Sequence, residues 1–263
     1  MTTSTTTPKP LWRKLLPPAF WLGVWQLSAY ATDLALNGQG NELLLPYPMT
    51  VVQTLLSLAG NGDFWLTAFY SLGRVLAGMV YGTAAGLLLA ALTCLSALAD
   101  ELLSPAIRVI RATPVASFIL LVMLWLWGYR DWVPVVIAAL MILPVVWANV
   151  SRGIREVDPQ LLEMAKAYRF SRSKTIRLIY MPSLRPYVLS AITTAMGLAW
   201  KSGVAAEVLC LPGTAIGTQI FYTKYYLEVP QLFAWTVVVV TMSLVMERLL
   251  TAALNRGNRR WET

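Results

Sequence analysis

The sequence predicts an all-α protein that crosses a membrane several times. Hydrophobic residues make up 57% of the 263 residues and charged residues only 13%, whereas an ordinary soluble domain is about 25% charged. The apolar residues are gathered into long runs, and most basic residues lie between those runs. A chain of this length can hold about five to seven spans. We predict a polytopic membrane protein with six transmembrane helices.

The N-terminal quarter is predicted to hold one span and one exterior segment. Residues 1–14 are a polar, basic tail, and residues 15–36 are apolar enough to form the first transmembrane helix. Residues 37–63 contain no Lys or Arg, which is typical of a segment on the outer side. Within them Met49–Ala59 predicts a short surface helix, because it is too short to cross the bilayer.

The remaining spans form the predicted core, residues 64–254. One helical face of the second span repeats glycine at every fourth position, at Gly78, Gly82 and Gly86, and such a stripe lets another helix approach closely. The predicted spans of this core are residues 64–95, 112–127, 132–150, 186–206 and 232–254.

Lys and Arg indicate how the chain is oriented. Most of them lie in the N-terminal tail, around Arg108, in residues 151–185 and in the basic tail 255–263. Because cytoplasmic loops carry the excess of basic residues, both termini are predicted to be cytoplasmic.

Residues 151–185 are too patterned for a simple connector between two spans. Asp158 is a good N-cap and Pro159 suits the first helical position, while Ser171 can cap a second short helix that Pro182 is expected to end. The pattern predicts a helix–turn–helix outside the bilayer. The alternative is a basic loop that only sets topology and touches anionic lipid.

This segment resembles the "EAA…G…S…LP" signature of the permease subunits of bacterial ABC importers. The matching residues are Glu163-Met164-Ala165, Ser171 and Met181-Pro182, and Arg169 stands where the family usually has Gly. If that position requires positive φ, a non-Gly residue costs roughly 1 kcal/mol. Leu45, Pro46, Pro48, Val52 and Leu56 are also similar to the nitrate/sulfonate/taurine branch.

The resemblance implies a type-I ABC importer permease fold with a cytoplasmic coupling-helix pair. In that family the pair docks on a separate ATPase, so Glu163 would make a polar contact and Met164, Ala165 and Phe170 an apolar one. The docking residues implied are Glu163, Met164, Ala165, Tyr168, Arg169, Phe170 and Ser171.

The resemblance also implies the partners and the location. The partners would be a dimeric ABC ATPase carrying ATP and Mg, a second copy of the permease, an extracytoplasmic substrate-binding protein and the bacterial inner membrane. No cofactor is expected on this chain. Homodimer and heterodimer both remain open, as does the solute, which could be a small anion such as nitrate, sulfonate or bicarbonate, or a thiamine precursor or another aromatic.

Motifs that are missing from the sequence also favour a subunit without catalytic activity of its own. The chain has no G-x-x-x-x-G-K-[ST] loop and no His, so we expect no ATP site, catalytic site or metal site of its own. Nucleic-acid binding is not indicated, because the basic residues lie in loops. We predict a non-catalytic transport subunit that is driven by a partner; the alternative is a stand-alone secondary carrier or channel.

Four residues are candidates for the translocation path. Trp200, Lys201 and Glu207 belong to a stretch similar to the family's "W…AAE" motif, and Arg74 lies inside the second span. Lys201 could attract a small anion or could snorkel to the interface. Arg74 could contact solute or could form a structural pair.

Overall fold

The computed structural model describes residues 11–36 and 41–259, and every regular element in them is helical. The all-helical prediction is therefore confirmed for this part of the chain, while residues 1–10 and 260–263 of the predicted tails lie outside it. A 3₁₀ turn spans Arg130–Trp132 and a π turn spans Ile176–Tyr180. The α-helices are α1 Leu11–Ala35, α2 Asn41–Leu44, α3 Pro48–Ala59, α4 Gly62–Leu95, α5 Ala97–Ala112, α6 Val115–Trp125, α7 Val133–Arg155, α8 Pro159–Ala167, α9 Arg172–Thr175, α10 Met181–Cys210, α11 Ile216–Tyr225 and α12 Val229–Arg259.

The central helix is α7, which packs between α4 and α10. The predicted glycine stripe of α4 faces it: a Cβ on Gly82 would lie 2.5 Å from the carbonyl oxygen of Ala139, and one on Gly78 would lie 2.6 Å from that of Val135. Real Cβ atoms essentially never come this close to another heavy atom. The prediction that this stripe serves close helix packing is confirmed.

Small residues on α10 serve the same purpose on the other side of the core. Ala191, Ala195 and Ala199 are fully buried, and a Cβ on Gly203 would lie 2.7 Å from Val75 Cγ2 of α4. This face of α10 therefore packs against other helices of the same chain.

Among the described residues, three single helices are long and apolar enough to cross a membrane: 62–95, 130–155 and 229–252. By the same measure of length and composition, α5 and α6 together form a fourth candidate, although they meet at 109°. The sequence predicted one span over 112–127 here. An interruption at Pro114 is present: Thr113 is extended (ψ 133°), the conformation that a residue before proline favours. Because α6 alone is roughly 16 Å long, a crossing here needs part of α5 as well.

The second short helix of residues 151–185, α9, does not end at Pro182, contrary to the sequence prediction. α9 continues through the π turn Ile176–Tyr180 directly into α10. Pro182 lies at the first positions of α10, where its missing N–H costs little. The helix α9, the π turn and α10 are therefore one continuous helical rod.

The N-terminal helix α1 is attached through a few specific contacts. The indole N–H of Trp25 donates to the carbonyl of Pro46 at 3.1 Å, and the indole ring stacks on Phe233 of α12. The Tyr47 hydroxyl donates to the Asp33 carboxylate at 3.1 Å. The short helix predicted at Met49–Ala59 is confirmed as α3.

Candidate functional site: the docking segment and the Glu207 cluster

Local capping builds the docking segment, residues 157–180. The Asp158 carboxylate accepts the N–H of Gln160 at 2.8 Å, and Pro159 is the first residue of α8. The Ser171 hydroxyl accepts the N–H of Lys174 at 3.3 Å. Because these bonds satisfy backbone donors that helix starts leave free, both short helices begin where the sequence predicted.

Arg169 forms the turn between α8 and α9 in a left-handed conformation, with φ of 51°. Its N–H donates to the carbonyl of Lys166 at 3.0 Å, and the N–H of Phe170 donates to that of Ala165 at 2.8 Å. This pair of bonds is a Schellman motif. The turn therefore adopts the conformation that favours glycine, with an arginine in it.

The docking residues divide between an inner and an outer face. Ala165 is buried with Val157 and Ile179, and Phe170 packs against this small cluster. Leu161 and Met164 of α8 and Tyr168, which directly follows it, have exposed apolar side chains, at spacings of three and four that place them on one side. The structure thus places Ala165 and Phe170 inside the segment, whereas Met164 and Tyr168 remain available for a partner.

The docking segment joins the helical bundle where α7 ends and α10 begins, and we call this junction the neck. The Tyr187 hydroxyl of α10 donates to the Glu156 carboxylate, which follows α7, at 2.5 Å. A Cβ on Gly153 would lie 2.7 Å from the Tyr187 ring. The end of α7, where the segment begins, is therefore in direct contact with the first turns of α10, which follow the segment.

A second polar site surrounds Glu207 in the last turns of α10. Its side chain is 0% exposed. The carboxylate accepts the Ser71 hydroxyl at 2.8 Å and the Gly217 N–H at 3.1 Å, while Ser71 in turn accepts the N–H of Ile216 at 2.9 Å. One carboxylate thus joins α4, α10 and α11.

Arg74 connects the same carboxylate to the turn before α7. Its guanidinium lies 3.4 Å from Glu207, donates to the carbonyl of Thr214 at 2.7 Å and pairs with Asp131 at 2.5 Å. These contacts account for a charge at membrane depth by internal pairing.

Trp200 and Lys201 point in different directions. The Trp200 indole is buried, and its N–H donates to the carbonyl of Val239 in α12 at 3.0 Å. Lys201 is exposed. It shares one exposed side of α10 with Ser190, Thr194, Leu198, Ala205 and Leu209.

The structure therefore brings together only part of the predicted path. Arg74 and Glu207 are in contact, Trp200 belongs to the core, and Lys201 lies on the exposed side of α10, away from the other three. Sequence reasoning missed Ser71, Asp131 and Gly217. Ser71 lies one helical turn before Arg74 on the same face, and that pairing of two polar residues in an apolar helix was the available signal.

The chain matches one protein family over most of its length. The family is described as "Binding-protein-dependent transport system inner membrane component", and the match covers residues 82–260. The chain is 26% identical to the putative aliphatic sulfonates transport permease protein SsuC of Bacillus subtilis (strain 168), over 95% of this chain and 90% of that protein. It is 27% identical to the bicarbonate transport system permease protein CmpB of Synechocystis sp. (82% and 81%) and 23% identical to the taurine transport system permease protein TauC of Escherichia coli (strain K12) (82% and 80%).

Solved structures share the fold. A chain of the amino acid ABC transporter crystallised with histidines superposes with a TM-score of 0.61 at 20% identity, covering 75% of this chain and 94% of that one. A chain of the inward-facing MetNI methionine ABC transporter gives a TM-score of 0.59 at 15% identity, covering 75% and 95%.

Proposed function

The chain belongs to the family of binding-protein-dependent transport system inner membrane components, and from that membership we propose how it works. It is the inner-membrane permease subunit of an ABC importer of the nitrate/sulfonate/taurine/bicarbonate type, and it couples solute translocation to an ATPase.

We propose six membrane crossings with both termini in the cytoplasm. The crossings are α1, α4, the bent pair α5–α6, α7, α10 and α12. The basic residues around Arg108, in the docking segment and after α12 then share one side of the membrane, as the positive-inside rule requires.

The docking segment is proposed to bind a separate ATPase that hydrolyses ATP with Mg. The observation that carries this proposal is an exposed apolar stripe on a short, capped helix outside the bundle, formed by Leu161, Met164 and Tyr168. Glu163 is exposed beside this stripe and makes no ion pair with any other described residue. Such a surface suits a partner that has an apolar groove rimmed by basic groups.

Motion of the ATPase would reach the membrane through two connections. The neck contact between Glu156 and Tyr187 ties the segment to α7 and α10, and the π turn joins α9 to α10 without a break. A displacement of the docking segment is therefore carried directly into α10.

Two copies of the permease are proposed to enclose the path, because a single copy leaves one side of α10 uncovered. That side carries Ser190, Thr194 and Lys201, and a charged group within a membrane helix is stable when it faces a water-filled cavity. Of the four candidates, Lys201 would line the path, while Trp200, Glu207 and Arg74 would support its outer end from inside the fold.

The solute is proposed to be a small anion, delivered by an extracytoplasmic binding protein. Relatives of this chain are described as permeases for aliphatic sulfonates, taurine, bicarbonate and nitrate. The ammonium group of Lys201 would contribute a positive charge on the path for such anions.

Reconstitution tests this proposal. The permease and its ATPase would be placed in sealed vesicles with a solute-loaded binding protein outside, and uptake of labelled taurine, alkanesulfonate, bicarbonate and nitrate would be measured with and without ATP inside. We expect ATP-dependent uptake of one of these anions. Accumulation without the ATPase would contradict the proposal and support a secondary carrier.

A further inference from the structure

A basic cavity separates α5 from the C-terminal half of α7. Its volume is about 390 Å³, within the roughly 300–1,000 Å³ of small-ligand pockets. On α5 a polar stripe is formed by Asp100, Ser104 and Arg108, which are four residues apart. It faces polar residues of α7 across the cavity. The lining residues are Asp100, Ser104, Arg108, Trp147, Ala148, Ser151, Arg152, Arg155 and Glu156.

The carboxylates of this cavity already have partners. Asp100 accepts the Ser104 hydroxyl and pairs with Arg155 at 3.4 Å, and Glu156 accepts the Tyr187 hydroxyl. Arg108 and Arg152, in contrast, form no ion pair or hydrogen bond with any other residue that the structure describes. The cavity therefore presents two guanidinium groups without a bound counter-charge.

A buried hydroxyl in the same cavity also lacks a partner. Ser151 is 6% exposed, and its Oγ is the one buried side-chain nitrogen or oxygen without a hydrogen bond in the described part of the chain. A buried hydroxyl without a hydrogen-bond partner destabilises the fold unless a ligand or water satisfies it. A hydroxyl beside two guanidinium groups provides the donors that an oxyanion accepts.

We propose that the α5–α7 cavity binds the oxyanion of a phosphate-type group through Arg108, Arg152 and the Ser151 hydroxyl. Two sources share this chemistry: the headgroup of an anionic phospholipid and a free oxyanion such as inorganic phosphate or sulfate. Basic pockets between membrane helices on the cytoplasmic side bind anionic headgroups. On the other side of α5, Leu98, Leu102 and Val109 are exposed and could contact acyl chains.

The site touches the neck of the docking segment. Arg155 and Glu156 line the cavity and directly precede Val157, where that segment begins. An oxyanion bound here would hold the end of α7 beside the connection to the ATPase. Only the choice of leaflet rests on the topology proposed above.

Native mass spectrometry of the purified permease–ATPase complex tests the proposal. The complex would be extracted in neutral detergent and given phosphatidylglycerol or phosphatidylcholine, and retained lipid would be counted. Isothermal titration calorimetry with phosphate and with sulfate would measure the affinity for the free oxyanions. The variants are Arg108→Gln with Arg152→Gln, Ser151→Ala, and Arg111→Gln as the matched control, since Arg111 is an exposed arginine of α5 that does not line the cavity.

We expect the double variant to lose about thirty-fold in affinity, since each basic residue contributes roughly fivefold to binding an anionic surface. Ser151→Ala should weaken binding several-fold and Arg111→Gln should not. Preferential retention of phosphatidylglycerol identifies a lipid headgroup, and binding of phosphate or sulfate alone identifies a free oxyanion. The proposal is overturned if neither ligand class distinguishes the double variant from Arg111→Gln. Binding does not depend on transport, so failure here leaves the importer function intact.

Discussion

The Ser71 hydroxyl of α4 donates a hydrogen bond to the buried carboxylate of Glu207 in α10, at 2.8 Å. These residues are 136 positions apart in the sequence. The same carboxylate accepts the Gly217 N–H and faces Arg74. One fully buried group therefore determines how three helices and a loop meet at one end of the bundle.

Replacing Glu207 with alanine should destabilise the protein strongly. The change leaves the Ser71 hydroxyl, the Gly217 N–H and the Arg74 guanidinium without their acceptor, and removal of one partner from a buried ion pair costs roughly 3–5 kcal/mol. Thermal unfolding in detergent should show a clearly lower midpoint. Glu247→Ala, at an exposed position of α12, is the control, and equal midpoints for both variants would show that the cluster has no structural role.

Gly82→Ala should weaken the contact between α4 and α7. The new methyl group would lie 2.5 Å from the Ala139 carbonyl oxygen, and overpacking of this kind costs about 1–3 kcal/mol. Gly73→Ala is the matched control on α4, because a Cβ there meets nothing within 4 Å; it should be neutral or stabilising by up to about 1 kcal/mol. The same unfolding measurement checks both, and a tolerated Gly82→Ala would argue against close packing.

Arg169→Gly should stabilise the turn of the docking segment by about 1 kcal/mol, because Arg169 has φ of 51° and glycine adopts that conformation without strain. Hydrogen exchange over residues 158–180 should become slower. Arg172→Gly removes the same charge inside α9 and should accelerate exchange. Faster exchange in Arg169→Gly would mean that the arginine side chain, and not the backbone, stabilises the turn.

Glu163→Arg should separate insertion from coupling. Glu163 is exposed on α8, so the chain should still insert, while reversed charge at the ATPase contact should abolish ATP-dependent uptake. Membrane fractionation, co-purification with the ATPase and uptake measure the three steps. Glu101→Arg makes the same change at an exposed position of α5 and should transport normally; wild-type uptake by Glu163→Arg would refute the docking role.

Lys201→Met should reduce uptake of an anionic solute. A hydrogen bond to a charged group contributes about 1.5 kcal/mol or more, which corresponds to roughly a tenfold lower kcat/KM. Lys224→Met, at an exposed position of α11, should leave uptake unchanged. If both variants behave alike, Lys201 reaches the interface and does not line the path.

Local features of the fold could be predicted from the sequence. Asp158 and Ser171 cap the helices where expected, because a cap depends only on the next few residues. Gly78 and Gly82 indicated close packing because the absence of a side chain is itself the signal. A cap depends on residues within one helical turn, and the glycine stripe marks a contact face on its own helix although its partner α7 is distant in the sequence.

The predictions that failed and the contacts that were missed depend on elements that are distant in the sequence. Pro182 looks like a helix end, but the π turn before it lets α9 continue into α10. Pro114 predicted an interruption but not the size of the bend, which depends on how α5 and α6 pack. Ser71 shares a helical face with Arg74, but Asp131 and Gly217 reach the Arg74–Glu207 pair from other elements, and that pairing leaves no periodic trace in the sequence.

The uninterrupted helix from Arg172 through the π turn to Cys210 is roughly 58 Å long at 1.5 Å per residue. A bilayer with its headgroups is about 40–45 Å thick, so this one rod is long enough to reach water on both sides. On the proposed topology, a displacement imposed at the Glu207 end by a binding protein would be transmitted along this helix to α9, beside the proposed ATPase contact.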